Sequence, residues 1–274
     1  MRCQLSLTNA ELKILSALKD RTERHRQKRF LIEGKRSVTD ALKANASVSR
    51  LILSLGSRTD RFTDVLSLAE QKEIEVVELP ADKFRKLTTT ETSQGIIAVG
   101  DILESSVDEY VSKARSKRQA ILIILDRIAD PGNLGTILRS AVWFGVEAVI
   151  TAQGSVDVYN PKVVRSAMSA LASLQVIEDA DLGESIAALK KIGFKIIASS
   201  QDGRDEYTSF DYPPKIGLVF GSEATGIRNE ILSACDWTVS IPRRGKMESL
   251  NVAVAASIVL AEMWRQTSSR VVKK

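Results

Sequence analysis

Histidine and cysteine are nearly absent from this chain. Its 274 residues include one histidine, His25, and two cysteines, Cys3 and Cys235, which lie far apart. This scarcity excludes a disulfide framework, a cysteine-rich zinc site and a metal site built from several histidines. A Ser-His-Asp or Cys-His nucleophile would have to use His25, and the surrounding stretch RHRQKR provides no such partner.

Long apolar segments are missing as well. The chain has no stretch of eighteen or more apolar residues, so no membrane span is expected. The first residues, MRCQLSLTNAELK, lack the apolar core and the cleavage site of a signal peptide. We therefore expect a cytoplasmic globular protein, and 274 residues suffice for one large or two medium domains.

The net charge of +5 is unevenly spread along the chain. Between Arg21 and Arg36, seven basic residues stand against Glu23 and Glu33. Such a block is either the solvated face of a helix or a patch that binds phosphates. Phe30 is the aromatic residue within it, so stacking of single-stranded bases on several rings is not indicated.

The N-terminal part of the chain mixes helical and strand patterns. Helices are predicted at Thr8–Lys28, Val38–Lys43 and Ala81–Leu87. Strands are predicted at Phe30–Glu33, Arg50–Leu55, Ile74–Leu79 and Gly95–Val99. We expect residues 1–103 to form a compact αβ domain, and the polar segment 104–119 to be a linker or a linking helix.

Residues 120–274 alternate strictly between strands and helices. The predicted strands are Ile121–Leu125, Glu147–Thr151, Leu174–Ile177, Lys195–Ser199, Ile216–Gly221 and Thr238–Ile241. The predicted helices are Leu134–Phe144, Lys162–Ala172, Gly183–Lys191, Ile227–Ala234 and Leu250–Arg265. Continuous apolar strands such as ILIIL are typical of a parallel sheet that is covered on both faces. Ligands bind such sheets at the carboxyl ends of the strands.

The first of these strands runs into an unusual helix start. Asp130 is a plausible N-cap, with Pro131 at the first helical position. Arg139 would lean over the turn that contains Gly135, toward the end of the strand. The alternative is a surface or ion-paired arginine. A dinucleotide-binding loop is not indicated, because the G-x-G-x-x-G spacing is absent here.

Two further strand ends carry unusual residues. Glu223 lies between Gly221 and Gly226, although a simple helix start would also explain it. After the last strand comes a long loop, and we expect Ser249 to cap the following helix and Asn251 to lie in its first turn.

Three segments in this order resemble the motifs of the SpoU (TrmH) class of RNA ribose methyltransferases. They are NLGTILR (133–139), GSEATG (221–226) and IPRRGKMESLNVAVA (241–255). YNPKVVR (159–165) also resembles that class, and RFLIEG (29–34) with TSQGIIAV (92–99) resembles its ribosomal-protein-L30-like substrate-binding domain. The resemblance implies an α/β fold with a deep trefoil knot over residues 120–274, an exception to the usual unknotted topology. It also implies an L30-like domain over residues 1–103.

The resemblance further implies methyl transfer from S-adenosylmethionine to a ribose 2′-hydroxyl, without a metal. The cofactor-binding residues would be Ser199, Gly221, Ile241 and Leu250. Arg139 matches the family's catalytic arginine, and Glu223 and Asn251 match its supporting polar residues. Because a guanidinium stays protonated, we expect Arg139 to position a phosphate and the hydroxyl and to stabilise the developing alkoxide.

The resemblance extends to partners. Arg26, Arg29 and Lys35 would contact RNA phosphates, and the knotted domain would form a homodimer. Ribosomal RNA is favoured over transfer RNA, because an L30-like domain suits structured loops. The chain differs from the residues that are common in the family at Arg243 and at three positions with small side chains, Ala167, Ser169 and Ala253. These differences affect the detail of substrate positioning.

Other functions stay open at this point. A transfer RNA 2′-O-methyltransferase and a non-catalytic RNA-binding member of the fold are the main alternatives. A knotted methyltransferase that acts on a base is disfavoured by the first and third motifs. A nucleotide-dependent oxidoreductase lacks its glycine fingerprint.

Overall fold

The structure is a computed structural model that describes residues 7–56, 59–167 and 169–271. The helices, in chain order, are α1 (Asn9–Ala17), α2 (Arg21–Gln27), α3 (Lys35–Lys43), α4 (Thr63–Gln71), α5 (Ala81–Arg85), α6 (Val107–Ala114), α7 (Pro131–Trp143), α8 (Pro161–Ala167), α9 (Leu182–Lys191), α10 (Asn229–Ala234) and α11 (Val252–Val271). The strands are β1 (Arg29–Glu33), β2 (Val48–Ser54), β3 (Glu75–Leu79), β4 (Ile96–Asp101), β5 (Ala120–Asp126), β6 (Ala148–Ala152), β7 (Gln175–Ala180), β8 (Lys195–Ser199), β9 (Asp205–Glu206), β10 (Lys215–Gly221) and β11 (Trp237–Ser240). Cys3 lies outside the described residues.

The chain divides into two compact units. The N-terminal unit comprises Met1–Leu103 together with Asp157–Ser173, and the C-terminal unit comprises Glu104–Val156 and Leu174–Lys274. The segment with α8, expected within the C-terminal domain, thus packs with the N-terminal residues. The expected linker forms α6, whose Tyr110 and Ala114 are buried in the core of the C-terminal unit. The boundaries of independently folding domains stay a prediction.

The N-terminal unit is built on a four-stranded mixed sheet in the order β1-β4-β2-β3. β4 is antiparallel to both of its neighbours, and β2 and β3 are parallel. Its core is formed by apolar side chains from the sheet, α1 and α5. The single helix expected over Thr8–Lys28 is two helices, because Asp20 interrupts it and accepts a hydrogen bond from the Glu23 amide as the N-cap of α2. Helix α4 was not expected.

The C-terminal unit is built on a seven-stranded parallel sheet in the order β7-β6-β5-β10-β8-β11-β9. All residues of β5 are buried, as a strand covered on both faces requires. The predicted parallel α/β architecture and six of its strands are confirmed. The edge strand β9 was not predicted, because its two residues are exposed and carry no apolar pattern.

Helix α7 begins as its sequence predicts. The Asp130 carboxylate accepts a hydrogen bond of 2.8 Å from the Asn133 amide, and Pro131 occupies the first turn. The cap fixes the entry of the chain from β5 into the helix, and therefore places Asn133 beside the strand end. Within the described ranges, no helix is long and apolar enough to cross a membrane.

Candidate active site

Four neighbouring strands of the C-terminal unit present their carboxyl ends side by side. In the order β5-β10-β8-β11, Gly221 pairs with Asp126 and Val239 pairs with Ser199. The three predicted motifs follow β5, β10 and β11, so the sheet brings them to one edge. Three of the predicted cofactor residues lie at this edge. Ser199 ends β8, Gly221 ends β10, and Ile241 directly follows β11.

A chain of amide and carboxylate groups joins the three motifs. Asn251 Nδ2 donates to Asn133 Oδ1 at 2.9 Å, and Asn133 Nδ2 donates to Glu223 Oε1 at 2.5 Å. Asn133 therefore links two partners that are 90 and 118 residues away in sequence. Because each amide group is satisfied on both sides, the Glu223 carboxylate is held in a defined orientation at an exposed surface.

Asn251 also caps the last helix. Its Oδ1 accepts hydrogen bonds from the amides of Ala253 at 2.9 Å and Val254 at 3.2 Å, and α11 begins at Val252. The expectation that Ser249 caps this helix and that Asn251 lies in its first turn is wrong. The cap fixes the Asn251 backbone, and its Nδ2 is left to bind Asn133.

A tight loop follows β10. Gly226 has φ +67° and its amide donates to the Ser222 carbonyl at 2.8 Å, so the loop folds back on itself. A Cβ atom at Gly221 would lie 2.3 Å from the Gly226 carbonyl carbon. Glycine is thus required at Gly221 by the close approach of two backbone segments. This loop geometry presents Glu223 at its tip.

The predicted cofactor residues lie at the start of, or within, the loops after β8, β10 and β11. A Cβ atom at Gly203 would lie 2.3 Å from the Val239 carbonyl carbon, so the loop after β8 lies against β11. Beyond β11, Ile241 is half-buried, whereas Met247 and Leu250 are exposed. Backbone groups at three strand ends, together with exposed apolar side chains in the loop after β11, suit an adenosyl group that is held by main-chain contacts.

A buried carboxylate lies at the end of β5. Asp126 is fully buried and accepts hydrogen bonds from the amide of Arg228 at 2.8 Å and from its Nε at 2.9 Å. Arg228 also forms an ion pair of 2.7 Å with Glu230. This pair was not among the predicted site residues, although an aspartate that ends an apolar strand is its signal in the sequence.

Arg139 lies on α7 and is exposed. Within the described part of the chain, no hydrogen bond or ion pair to its side chain is found. It is not part of the chain of hydrogen bonds through Asn133. Gly135, one turn before it, is buried, as a close helix contact requires. The exposed guanidinium is available to an incoming ligand, and the catalytic role of Arg139 stays a prediction.

The three predicted RNA contacts lie in the N-terminal unit, and each has a nearby acidic side chain. Arg26 pairs with Glu23 at 2.6 Å, Arg29 with Asp101 at 3.7 Å, and Lys35 with Asp64 at 2.9 Å. The hydrogen bond with Arg26 is the main reason that the pKa of Glu23 is below its ordinary value. Likewise, the hydrogen bond with Lys35 holds the pKa of Asp64 below its ordinary value. All three basic side chains keep substantial exposure.

Comparison with known proteins identifies two families along the chain. Residues 120–261 match the SpoU rRNA Methylase family, and residues 9–98 match the MRM3-like substrate binding domain. The 23S rRNA (guanosine(2553)-2'-O)-methyltransferase RlmP of Bacillus subtilis is 31% identical over 255 residues, which cover 93% of this chain and 96% of the relative.

Solved structures agree with this match. The SpoU methyltransferase AviRb from Streptomyces viridochromogenes, in complex with AdoMet, is 29% identical with a TM-score of 0.84, and the match covers 96% of this chain and 99% of that one. A solved structure described as giving insights into the 2-OH methylation of C/U34 on tRNA is 25% identical with a TM-score of 0.51. The match covers 56% of this chain and 100% of that chain.

The chain belongs to the SpoU rRNA methylase family. The resemblance drawn from the motifs is confirmed, and so is the fold class with its knotted C-terminal domain. The protein is an RNA methyltransferase whose methyl donor is S-adenosylmethionine.

Proposed function

We propose that this protein transfers the methyl group of S-adenosylmethionine to the 2′-hydroxyl of a ribose in ribosomal RNA. The observation that carries the proposal is the hydrogen-bonded series Asn251–Asn133–Glu223, which joins the three motifs at one edge of the sheet. It lies beside the strand ends that suit the cofactor, so a nucleotide and a methyl donor can meet there.

The residues divide into binding, orienting and charge-stabilising roles. S-adenosylmethionine, when bound, supplies an electrophilic methyl group; Ser199, Gly221, Ile241 and Leu250 would hold it. Asn133 and Asn251 orient Glu223, which is then able to accept a hydrogen bond from a substrate hydroxyl. Arg139 would bind a phosphate of the target nucleotide and stabilise the oxygen as its proton passes to the Glu223 carboxylate or to water.

The N-terminal unit favours ribosomal RNA over transfer RNA. The relative named as a 23S ribosomal RNA enzyme matches this chain over 96% of the relative's length, and the match includes the N-terminal unit. The structure concerned with transfer RNA matches 56% of this chain, about the length of the C-terminal part. A substrate-binding domain in the same chain as the catalytic domain suits a structured RNA loop, with Arg26, Arg29 and Lys35 on phosphates. Since such RNA is cytoplasmic, we also propose that location.

We further propose a homodimer through the knotted domain. Trp143 on α7 is 82% exposed, and Trp264 on α11 is 52% exposed. The two helices are joined by a hydrogen bond of 2.8 Å between Ser140 and Ser257. Exposed tryptophans on adjacent helices are typical of a surface that a partner covers. Trp143→Glu should yield monomers in sedimentation, whereas a wild-type protein that sediments as a monomer would contradict the dimer.

The test of function is transfer of labelled methyl groups to deproteinised ribosomal RNA and to bulk transfer RNA. We expect label as 2′-O-methylribose in ribosomal RNA, loss of that label with Arg139→Ala, and full activity with Arg118→Ala. Arg118 is a suitable control because it is exposed and precedes β5, at the opposite end of the strand from the site. Label in transfer RNA alone, or in a base, would contradict the proposal. Cofactor binding without transfer to either RNA would favour the non-catalytic alternative.

A further inference from the structure

Two buried polar atoms near the end of β5 have no hydrogen-bond partner among the described residues. Arg127 Nε and Ser155 Oγ are both inaccessible to solvent and form no hydrogen bond with the described residues. Arg127 directly follows β5, and Ser155 lies three residues after β6, which pairs with β5. A buried donor without a partner is costly, so its retention at a strand end needs an explanation.

The loops that carry these atoms touch each other. A Cβ atom at Gly154 would lie 3.8 Å from Arg127 Cγ, and Gly154 has φ +88°. Arg127 itself has φ +58°, a left-handed conformation that non-glycine residues rarely adopt. Such backbone strain is concentrated at ligand-binding sites, where the surrounding structure maintains it. The strained backbone holds the Arg127 side chain beside the loop of Ser155.

The charge of Arg127 is not fully compensated. Its Nε lies 3.7 Å from Asp126 Oδ1, too far for a hydrogen bond. Asp126 is already engaged by the backbone amide and the Nε of Arg228. The Arg127 side chain is 40% exposed, so part of it remains open to solvent. An anion bound at this open part of Arg127 would balance the charge, and a small shift of the Gly154 loop would bring Ser155 Oγ within its reach.

We propose that Arg127 and Ser155 bind one phosphate of the substrate RNA. The inference rests on the proposed function, since it concerns the same RNA. Asp126 pairs with Gly221, so Glu223 lies on the β10 side of the β5 end, whereas Arg127 and Ser155 lie on the β6 side. The RNA backbone would therefore run across the end of β5, with the target ribose near Glu223 and a neighbouring phosphate at Arg127.

The test is filter binding of deproteinised ribosomal RNA over a range of KCl concentrations. Arg127→Gln should weaken binding about tenfold and reduce the slope of log K against log salt by about 0.7 to 0.9, the loss of one phosphate contact. Ser155→Ala should weaken binding less, and the double variant should lose less than the sum of the two effects. The control Arg118→Gln removes the same charge from the other end of β5 and should leave the slope unchanged.

Two more substitutions separate binding from folding. Arg127→Gly relieves the strained φ, so it should preserve or raise the melting temperature and still weaken RNA binding. Arg127→Lys keeps the charge and should retain most of the salt slope. Binding of S-adenosylmethionine should be unchanged in all of them.

The outcomes distinguish this site from the enzyme's function. A wild type that methylates ribosomal RNA, together with an Arg127→Gln variant whose affinity and slope equal those of Arg118→Gln, would overturn the phosphate site alone. A wild type that neither binds nor methylates RNA would overturn both. Loss of cofactor binding and folding in Arg127→Gly would show that Arg127 is structural, and would also overturn the site.

Discussion

Arg24 donates a hydrogen bond of 2.9 Å from its Nε to Asp157, and both side chains are at least 95% buried within the N-terminal unit. Arg24 Nη1 also donates to the carbonyls of Leu18 and Lys19, each at 2.8 Å, so the guanidinium is satisfied on several sides. Nearby, the Phe30 and Tyr159 rings lie 4.9 Å apart. These contacts explain why the segment that starts at Asp157 packs with the N-terminal residues.

Removal of one partner of this buried pair should destabilise the protein strongly. Arg24→Leu removes the buried guanidinium that pairs with Asp157, and His25 Nε2 remains 3.4 Å from the carboxylate, so we expect a loss of about 3 kcal/mol in the free energy of unfolding. Denaturant titration measures this loss. Arg26→Leu, two residues away on the exposed side of α2, is the control and should leave the unfolding midpoint nearly unchanged. The double variant Arg24→Leu with Asp157→Leu should be more stable than either single variant; equal stability of all variants would contradict a stabilising pair.

The bridge through Asn133 should matter for rate rather than for folding. Asn133→Asp replaces the amide that donates to Glu223 with a second carboxylate, so the two groups repel each other. We expect kcat/KM for methyl transfer to fall about 10- to 100-fold, with partial recovery at lower pH as one carboxylate is protonated. The melting temperature and cofactor affinity should stay unchanged, because the site is at the surface.

The control for that substitution is Asn229→Asp. Asn229 is exposed at the start of α10, where a negative charge is favourable, and it should have wild-type activity. If Asn133→Asp were as active as this control, the hydrogen-bonded series would have no part in the reaction.

Gly221 should be intolerant of any side chain. Gly221→Ala places a Cβ atom against the Gly226 backbone, so we expect the loop to open, cofactor affinity to fall, and the free energy of unfolding to decrease by about 1 to 3 kcal/mol. Calorimetric titration with S-adenosylmethionine and thermal unfolding measure the two effects. Gly245→Ala is the matched control for the loss of stability, because a Cβ atom there meets nothing within 4 Å. Normal cofactor binding by Gly221→Ala would show that the loop is not part of the cofactor site.

The parallel sheet was predictable because each strand can be recognised from its own residues. Buried strands such as β5 are continuous apolar runs, and the residues at their carboxyl ends can be read directly from the sequence. The break between α1 and α2 was missed because Asp20 fits a solvated helix position as well as it fits a cap. Helix α4 was overlooked although Val65 and Ala69, four residues apart, are both buried.

The candidate site was predictable only in part. The strand ends place Glu223 and Asn251 at one edge, but the role of Asn133 depends on partners about one hundred residues away. Arg127 and Ser155 gave no sequence signal, since their common feature is one buried polar atom each that has no hydrogen-bond partner among the described residues. The basic block likewise could not reveal that Arg24 is a buried structural residue whereas Arg26 is exposed.

Cys235 should make stability fall at high pH. Burial raises the pKa of its thiol to about 12, and the nearby Lys190 charge opposes this only in part. The folded state therefore keeps the proton while the unfolded thiol, with a pKa near 8.5, loses it. This contribution to stability is fully present below about pH 8 and decreases by up to about 1.4 kcal/mol per pH unit above about pH 9, until the folded thiol also ionises near pH 12. Urea unfolding at pH 8 and pH 10 should show a smaller decrease for Cys235→Ala than for the wild type, and equal decreases would show that the thiol is not protected by burial.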